Sequence, residues 1–180
     1  RHILKAGESL AFYARREEVI QDICSIGGRF CPTIEELGAM CEATIFFLNT
    51  AEQCWECLEE LLKGMQTGTV IIGSTMSPEG CEALNAVCAP KGITLLDAPV
   101  SGGVQGAIDG VLTIMVSGDI KRFEQYKPLL ELYGKKIAYV GERPGMAQTL
   151  KAINQQLVGV NVVSVCEAFA LGERCGIDLQ

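Results

Sequence analysis

The 180-residue chain has a single histidine, His2, beside its first residue. A Ser-His-Asp triad therefore has little to stand on, and His2 is expected to be solvent-exposed. Basic residues never run longer than a pair, and the net charge is −7. Nucleic acid is thus not expected as a partner, and no polybasic patch is present to meet a membrane. No uninterrupted apolar run reaches the roughly 18–20 residues of a spanning helix. The longest candidate, Leu157–Ala170, is broken by Asn161 and Glu167. No signal-peptide pattern, internal repeat or low-complexity tract is visible. Neither G-x-G-x-x-G nor a P-loop lysine occurs, so a phosphate cradle of either kind is missing from these residues. The first residue is Arg1 rather than Met, and the natural chain is expected to start earlier.

What is present is a globular composition. Hydrophobic residues make up 48% and charged residues 21%, which provides ample core. The nine cysteines are odd in number and irregularly spaced. Reduced thiols in a cytoplasmic compartment fit that usage better than a disulfide framework. Cys54-Trp55-Glu56-Cys57 has the spacing of a thioredoxin-type redox pair. However, Cys54, Cys57, Leu58, Leu61 and Leu62 also fall at i, i+3, i+4, i+7 and i+8, a core-facing helical stripe. No second C-x-x-C or nearby histidine completes a zinc site, so no metal is expected.

Short apolar runs alternate with amphipathic segments. Strands are expected over Ser9–Ala14, Arg29–Cys31, Thr44–Leu48, Val70–Gly73, Thr94–Asp97, Leu112–Val116 and Lys136–Val140. Helices are expected over Glu17–Ser25, Ile34–Met40, Ala51–Lys63, Pro78–Pro90 and Ile120–Tyr133. Thr33-Ile34-Glu35-Glu36 reads as a capping box, Ser77-Pro78 as a cap before an N1 proline, and Asp119 as a cap. Gly64, Gly92 and Gly134 stand where helices should stop. This alternation implies an α/β fold with an open, mostly parallel sheet and right-handed crossovers.

The pattern changes after Gly145. Met146–Cys175 reads as one long helix, apolar nearly all round through LVGVNVVSVCEAFAL. Such a helix must be covered on most faces, by a further domain or a partner chain. The domain boundary is placed at residues 144/145. Near the start of this helix, Lys151, Asn154 and Gln155 stand at i, i+3 and i+4 and share one face. Burial would depress the lysine's pKa and suit it to proton exchange; a lysine snorkelling to water is the alternative. Upstream, DAPVSGGVQGAIDG follows the apolar run ITLL. Ser101 and the amides near Gly102 and Gly103 could hold a small carboxylate at a strand end, since glycine lets backbone approach closely.

DAPVSGGVQGAIDGVLTIMVSGD resembles the substrate-loop signature of the β-hydroxyacid dehydrogenases. GMAQTLKAINQQ, running on to EAFALGERCGID, resembles that family's interdomain helix with its catalytic lysine. The likeness covers nearly the whole chain, including STMSP at Ser74–Pro78. It implies a Rossmann-like NAD(P)-binding domain over 1–144 and the start of an all-helical domain over 145–180. It further implies hydride transfer between NAD(P) and a small hydroxy-carboxylate, with Lys151 as acid/base. Ser101, Gly102 and Gly103 would hold the carboxylate, and Asn154 and Gln155 would orient the substrate. Leu48, Asn49 and Thr75 would lie along the nicotinamide and its ribose. Where the family usually has K-x-x-N-N, this chain has Lys151-Ala-Ile-Asn154-Gln155. That change, with Leu48-Asn49-Thr50-Ala51, is similar to the tartronate semialdehyde and threonate branches and points to a four-carbon sugar acid.

The family's glycine loop and the strand before it should precede Arg1, and that strand would sit mid-sheet. The 180 residues are therefore expected to be a fragment that binds cofactor weakly and turns over little. Ala14 and Arg15 at the second strand's tip favour NADP, because arginine suits a 2′-phosphate. The alternative is surface pairing of Arg15 and Arg16 with Glu17 or Glu18. The apolar helix implies a homo-oligomer. A non-catalytic dehydrogenase-like binding or scaffold module is the competing function.

Overall fold

Strands and helices alternate through residues 1–178, the part described by the computed structural model. The sequence begins with helix α1 (His2–Lys5), strand β1 (Ala11–Phe12), α2 (Glu17–Ser25), β2 (Arg29–Phe30) and α3 (Ile34–Met40). It continues with β3 (Ala43–Phe46), α4 (Ala51–Gly64), β4 (Gly68–Ile72), α5 (Pro78–Cys88) and β5 (Ile93–Asp97). Next come β6 (Val100–Ser101), α6 (Gly103–Asp109), β7 (Leu112–Ser117), α7 (Ile120–Glu131), β8 (Gly134–Gly141) and α8 (Met146–Arg174).

Side-chain caps start four of the helices. Thr33, Thr50, Ser77 and Asp119 accept hydrogen bonds from the amides of Glu36, Gln53, Gly80 and Arg122. Each satisfies an otherwise orphaned donor and stabilises by about 1 kcal/mol. Two expected helix stops have other uses. Gly64 is the last residue of α4, and a Cβ there would overlap the Glu35 carbonyl, so its bareness lets α3 and α4 pack closely. Gly134 opens β8, where a Cβ would run into Ile114. Helix α5 ends at Cys88, and Pro90 falls in a 3-10 turn closed by Gly92 at φ 71°.

β3, β4 and β5 pair in parallel; β7 runs antiparallel to β5 and β6, and β8 is parallel to β7. The sheet is thus open and mostly parallel, with one reversal at β7. Strand residues alternate between two cores, as the period of two requires. Val70, Ile72, Ile93 and Leu95 pack beneath α4 and α5, with Cys54, Leu58 and Leu61. Ile71, Leu96, Ile114 and Val116 face the other way, with Phe123 and Leu130 of α7. Burial on both faces explains the unbroken apolar runs TVII and ITLL.

β1 and β2 form a separate two-stranded parallel sheet. Between β1 and β3 lies a cavity of about 280 Å³ lined by Leu10, Ala11, Phe12, Ala43, Thr44 and Ile45, among others. A Rossmann order seats its first strand at this interval. β1 is paired along one side only, which accounts for its two residues where Ser9–Ala14 was expected.

Helix α8 is 29 residues long, and Ala147, Gln148 and Lys151 of its opening turns are buried. Beyond them its side chains are exposed, including Leu157, Val160, Val163 and Phe169. It is long enough, and over an 18-residue window apolar enough, to cross a membrane by length and composition alone, with a mean hydropathy of 1.2 in that window. The run-by-run reading did not register that. Burial of its first turns against the sheet ties that end to protein.

Candidate active site

The C-terminal edge of the sheet gathers the residues on which the sequence argument rests. Phe46, Ile72, Asp97 and Ser117 pair across one row of four strands. Just past that row the chain leaves β3 at Leu48-Asn49, β4 at Ser74-Thr75 and β5 at Ala98. Ser74 ties the first two exits together. Its hydroxyl accepts from the Leu48 amide at 2.6 Å and donates to the Phe46 carbonyl at 3.2 Å. Leu48, Asn49 and Thr75 therefore share one ledge, on which Asn49 and Thr75 are exposed. This ledge presents polar backbone and side-chain groups at the C-terminal edge of the sheet, where open α/β sheets bind ligands. No diphosphate-binding glycine loop is among the 180 residues.

Ser101, Gly102, Gly103 and Lys151 line one cavity of about 670 Å³. Its apolar floor includes Ile45, Phe47 and Leu112. Gly102 and Gly103 have φ of 133° and 62°, conformations that L side chains rarely adopt. Nothing lies within 4 Å of a Cβ built on Gly103, whereas one on Gly102 would meet Leu112 at 3.0 Å. Glycine at 103 is thus a demand of conformation, and at 102 of conformation and space. Across the cavity, Lys151 is only 7% exposed, and burial pushes its pKa down. Asn154 donates to the Ser101 hydroxyl at 3.4 Å, which joins the helix to the loop. The loop and helix singled out in the sequence therefore meet.

Gln155, by contrast, is exposed and does not line the cavity; most of α8 is exposed from there on. Arg15 is exposed past the end of β1, and among the described residues neither it nor Arg16 forms an ion pair with Glu17 or Glu18. His2, expected to be exposed, is half-buried; its Nε2 lies 3.0 Å from the Ala107 carbonyl, and it lines the cavity. Cys54 and Cys57 sit in the core stripe, and burial raises both thiol pKa values. That rules against a reactive redox pair. Among the described residues no acidic, histidine or cysteine cluster could hold a metal.

Two residues had no role in the sequence reading of the site: Asp97, and Gln148, which stands one turn before Lys151 on the helix's polar face. Asp97 is fully buried and accepts from the amides of Gly145 and Gln148, from Ser117 Oγ and from Gln148 Nε2. Burial pushes its pKa up, and those donors pull the other way. The available signal was a carboxylate ending an otherwise apolar strand, ITLLD, where only a well-partnered charge is tolerated.

Residues 1–141 match the family model described as the NAD-binding domain of 6-phosphogluconate dehydrogenase. Residues 145–180 match the one described as the NAD-binding of NADP-dependent 3-hydroxyisobutyrate dehydrogenase. The chain belongs to the β-hydroxyacid dehydrogenase family. Within it, the chain is 34% identical over 180 residues to an L-threonate dehydrogenase of Cupriavidus necator, covering 98% of this chain and 61% of that one. It is 33% identical to a 2-(hydroxymethyl)glutarate dehydrogenase of Eubacterium barkeri, with 98% of this chain and 60% of that one covered. Among solved structures, the 3-hydroxyisobutyrate dehydrogenase of Mycobacterium tuberculosis with L-serine superposes with a TM-score of 0.93 at 28% identity. That match covers 99% of this chain and 61% of the other. The chain thus spans about three-fifths of the length of these family members.

Proposed function

We propose that the chain is the cofactor-binding and lysine-bearing portion of an NAD(P)-dependent hydroxyacid dehydrogenase. The observation that carries the reading is the meeting of a buried lysine, Lys151, with the Ser101–Gly103 loop across one cavity. The domain division lies at residues 144/145; the last two residues of 145–180 are outside the described part. NAD(P), when bound along the Leu48–Asn49 and Thr75 ledge, supplies the hydride acceptor or donor. The protein's own residues do the rest. Ser101 and the backbone at Gly102 and Gly103 hold the substrate carboxylate. Asn154 fixes the Ser101 hydroxyl and, with Gln155, orients the substrate. Lys151 takes the proton from the hydroxyl during oxidation and returns it during reduction. Its lowered pKa makes the neutral amine accessible, as a general base requires.

Replacing Lys151 with methionine in the whole protein tests the assignment. We expect kcat to fall by about 10²–10⁴-fold, the usual worth of a positioned acid/base. Unchanged turnover removes Lys151 from the chemistry; no turnover by the unaltered whole protein with any hydroxyacid favours the scaffold alternative.

Arg15 past the β1 tip supports a preference for NADP, because its guanidinium is exposed and free of carboxylate partners among the described residues. Arg15→Ala should raise the KM for NADP and leave that for NAD nearly unchanged. Equal or better use of NAD by the unaltered protein contradicts the preference. The relation to threonate dehydrogenase supports a four-carbon sugar acid as substrate. The nine free thiols suit a reducing, cytoplasmic setting. The exposed apolar face of α8 supports self-association through that helix.

A further inference from the structure

The residues that join the cofactor ledge to the lysine helix line neither the ledge nor the cavity. Gln148 is 1% exposed, and its side-chain amide is used at both ends. Its Oε1 accepts from the Met76 amide at 3.1 Å. Its Nε2 donates to the Ser74 carbonyl at 3.0 Å and to Asp97 Oδ1 at 2.8 Å. Asp97 Oδ2 accepts from Gly145 N at 3.0 Å, Gln148 N at 3.1 Å and Ser117 Oγ at 3.1 Å. Ser117 Oγ in turn accepts from the Ala147 amide at 3.0 Å. Ser74 carries the chain of bonds onward to Leu48 and Phe46. One buried polar line thus runs from the end of β3, past β4 and β5, to β7 and the first turn of α8.

Every bond in this line has a fixed direction. Asp97 is met only by donors, which suits an ionised carboxylate, an acceptor at both oxygens. Gln148 must therefore turn its NH₂ to Asp97, and its carbonyl oxygen is left for the Met76 amide. A helix anchor would need no more than the Asp97 bonds to the Gly145 and Gln148 amides. The side chain of Gln148 adds two bonds to the Ser74–Met76 loop that no cap requires. Gln148 and Lys151 are three residues apart on one face, so a roll of α8 away from Ser74 moves the lysine with it.

We propose that Gln148, held by Asp97, is a positioning residue that sets the lysine helix against the cofactor ledge. It thereby keeps Lys151 in its buried place opposite the Ser101 loop. The proposal rests on the reading of Lys151 as the acid/base.

Three variants test it: Gln148→Leu, Gln148→Glu, and the exchange Asp97→Asn with Gln148→Glu. In the exchange, the side-chain amide introduced at position 97 can donate to the carboxylate introduced at position 148. That restores the bond between positions 97 and 148 with its direction reversed and keeps the bond from the Met76 amide, while the bond to the Ser74 carbonyl, itself an acceptor, is lost. Lys151 is followed by ¹⁵N NMR titration, its resonance assigned with Lys151→Arg, alongside circular dichroism for the fold. Steady-state kinetics are measured on the whole protein. In the unaltered protein Lys151 should titrate below the surface lysines. In Gln148→Leu or Gln148→Glu its titration should move up by about one pH unit, with kcat reduced about tenfold or more and substrate KM changed little. The exchange should recover part of both. A Lys151 that titrates with the surface lysines in the unaltered protein overturns the acid/base reading and this proposal with it. A depressed Lys151 titration that stays put in folded Gln148→Leu, with kcat intact, overturns the positioning role alone. If Gln148→Leu does not fold, a folded exchange variant with no recovery of the Lys151 titration overturns it equally.

Discussion

Lys151 is a cation placed where water is scarce, and that placement sets a pH dependence. Burial lowers its pKa below the ordinary value of 10.5. Between the folded pKa and the ordinary value, the unfolded chain binds more protons than the folded one. Stability therefore rises with pH across that window, and Lys151→Met should abolish this slope. On the proposed acid/base role, the neutral amine is the active form in the oxidation direction. We expect kcat/KM to rise with pH and level off, its midpoint below that of an exposed lysine, as a pH-rate profile will show. A midpoint at the exposed-lysine value would mean that the side chain reaches water. The buried thiols show the same physics with opposite sign. Burial raises the Cys88 pKa to about 11, so it stays protonated and inert in the core.

At the scale of elements, the sequence was most legible where one local rule decided the outcome. α2 and α3 run over the expected residues because polar or cap residues start them and their apolar spacing is regular. The stripe of Cys54, Cys57, Leu58, Leu61 and Leu62 is buried as the helical period required. The sequence was less legible where a neighbour decided. Gly64 and Gly134 stand where α4 and α7 stop, as expected, but the second element packed against each, and not a left-handed turn, is what requires glycine. β6 is two residues long and exists because β7 turns back beside it, which no pattern in VS announces. Helix α8 was foreseen in length and character, and its apolar face gives an expectation of its own. Val162 and Phe169 are more than half exposed, so a charge at either should weaken association. Sedimentation of Val162→Glu should show less self-association than the unaltered chain. A strictly monomeric unaltered chain at high concentration would contradict the role given to α8.

Across the whole molecule, the site is a product of topology. The parallel strands β3 to β5 end at the same edge, the reversal at β7 brings Ser117 to Asp97, and α8 starts beside both. Lys151 and the Ser101 loop were legible because each carries a residue type out of keeping with its setting: a lysine on an apolar helix, and paired glycines after a strand. Asp97 and Gln148 were not, since their meaning lies in partners some 50 residues apart that only the fold assembles. Between β1 and β3 lies a cavity, at the interval where a Rossmann order seats its first strand.

The central claim is that the Ser101–Gly103 loop holds a carboxylate while Lys151 exchanges the proton of the neighbouring hydroxyl. The most direct measurement is formation of reduced cofactor by the whole protein from a panel of small 3-hydroxy and aldonic acids, each beside its uncharged amide. We expect turnover with at least one acid, with NADP preferred, and a loss of about tenfold or more in kcat/KM for its amide, because the loop's donors then meet no anion. Equal turnover of acid and amide, or none with any hydroxyacid, would contradict it.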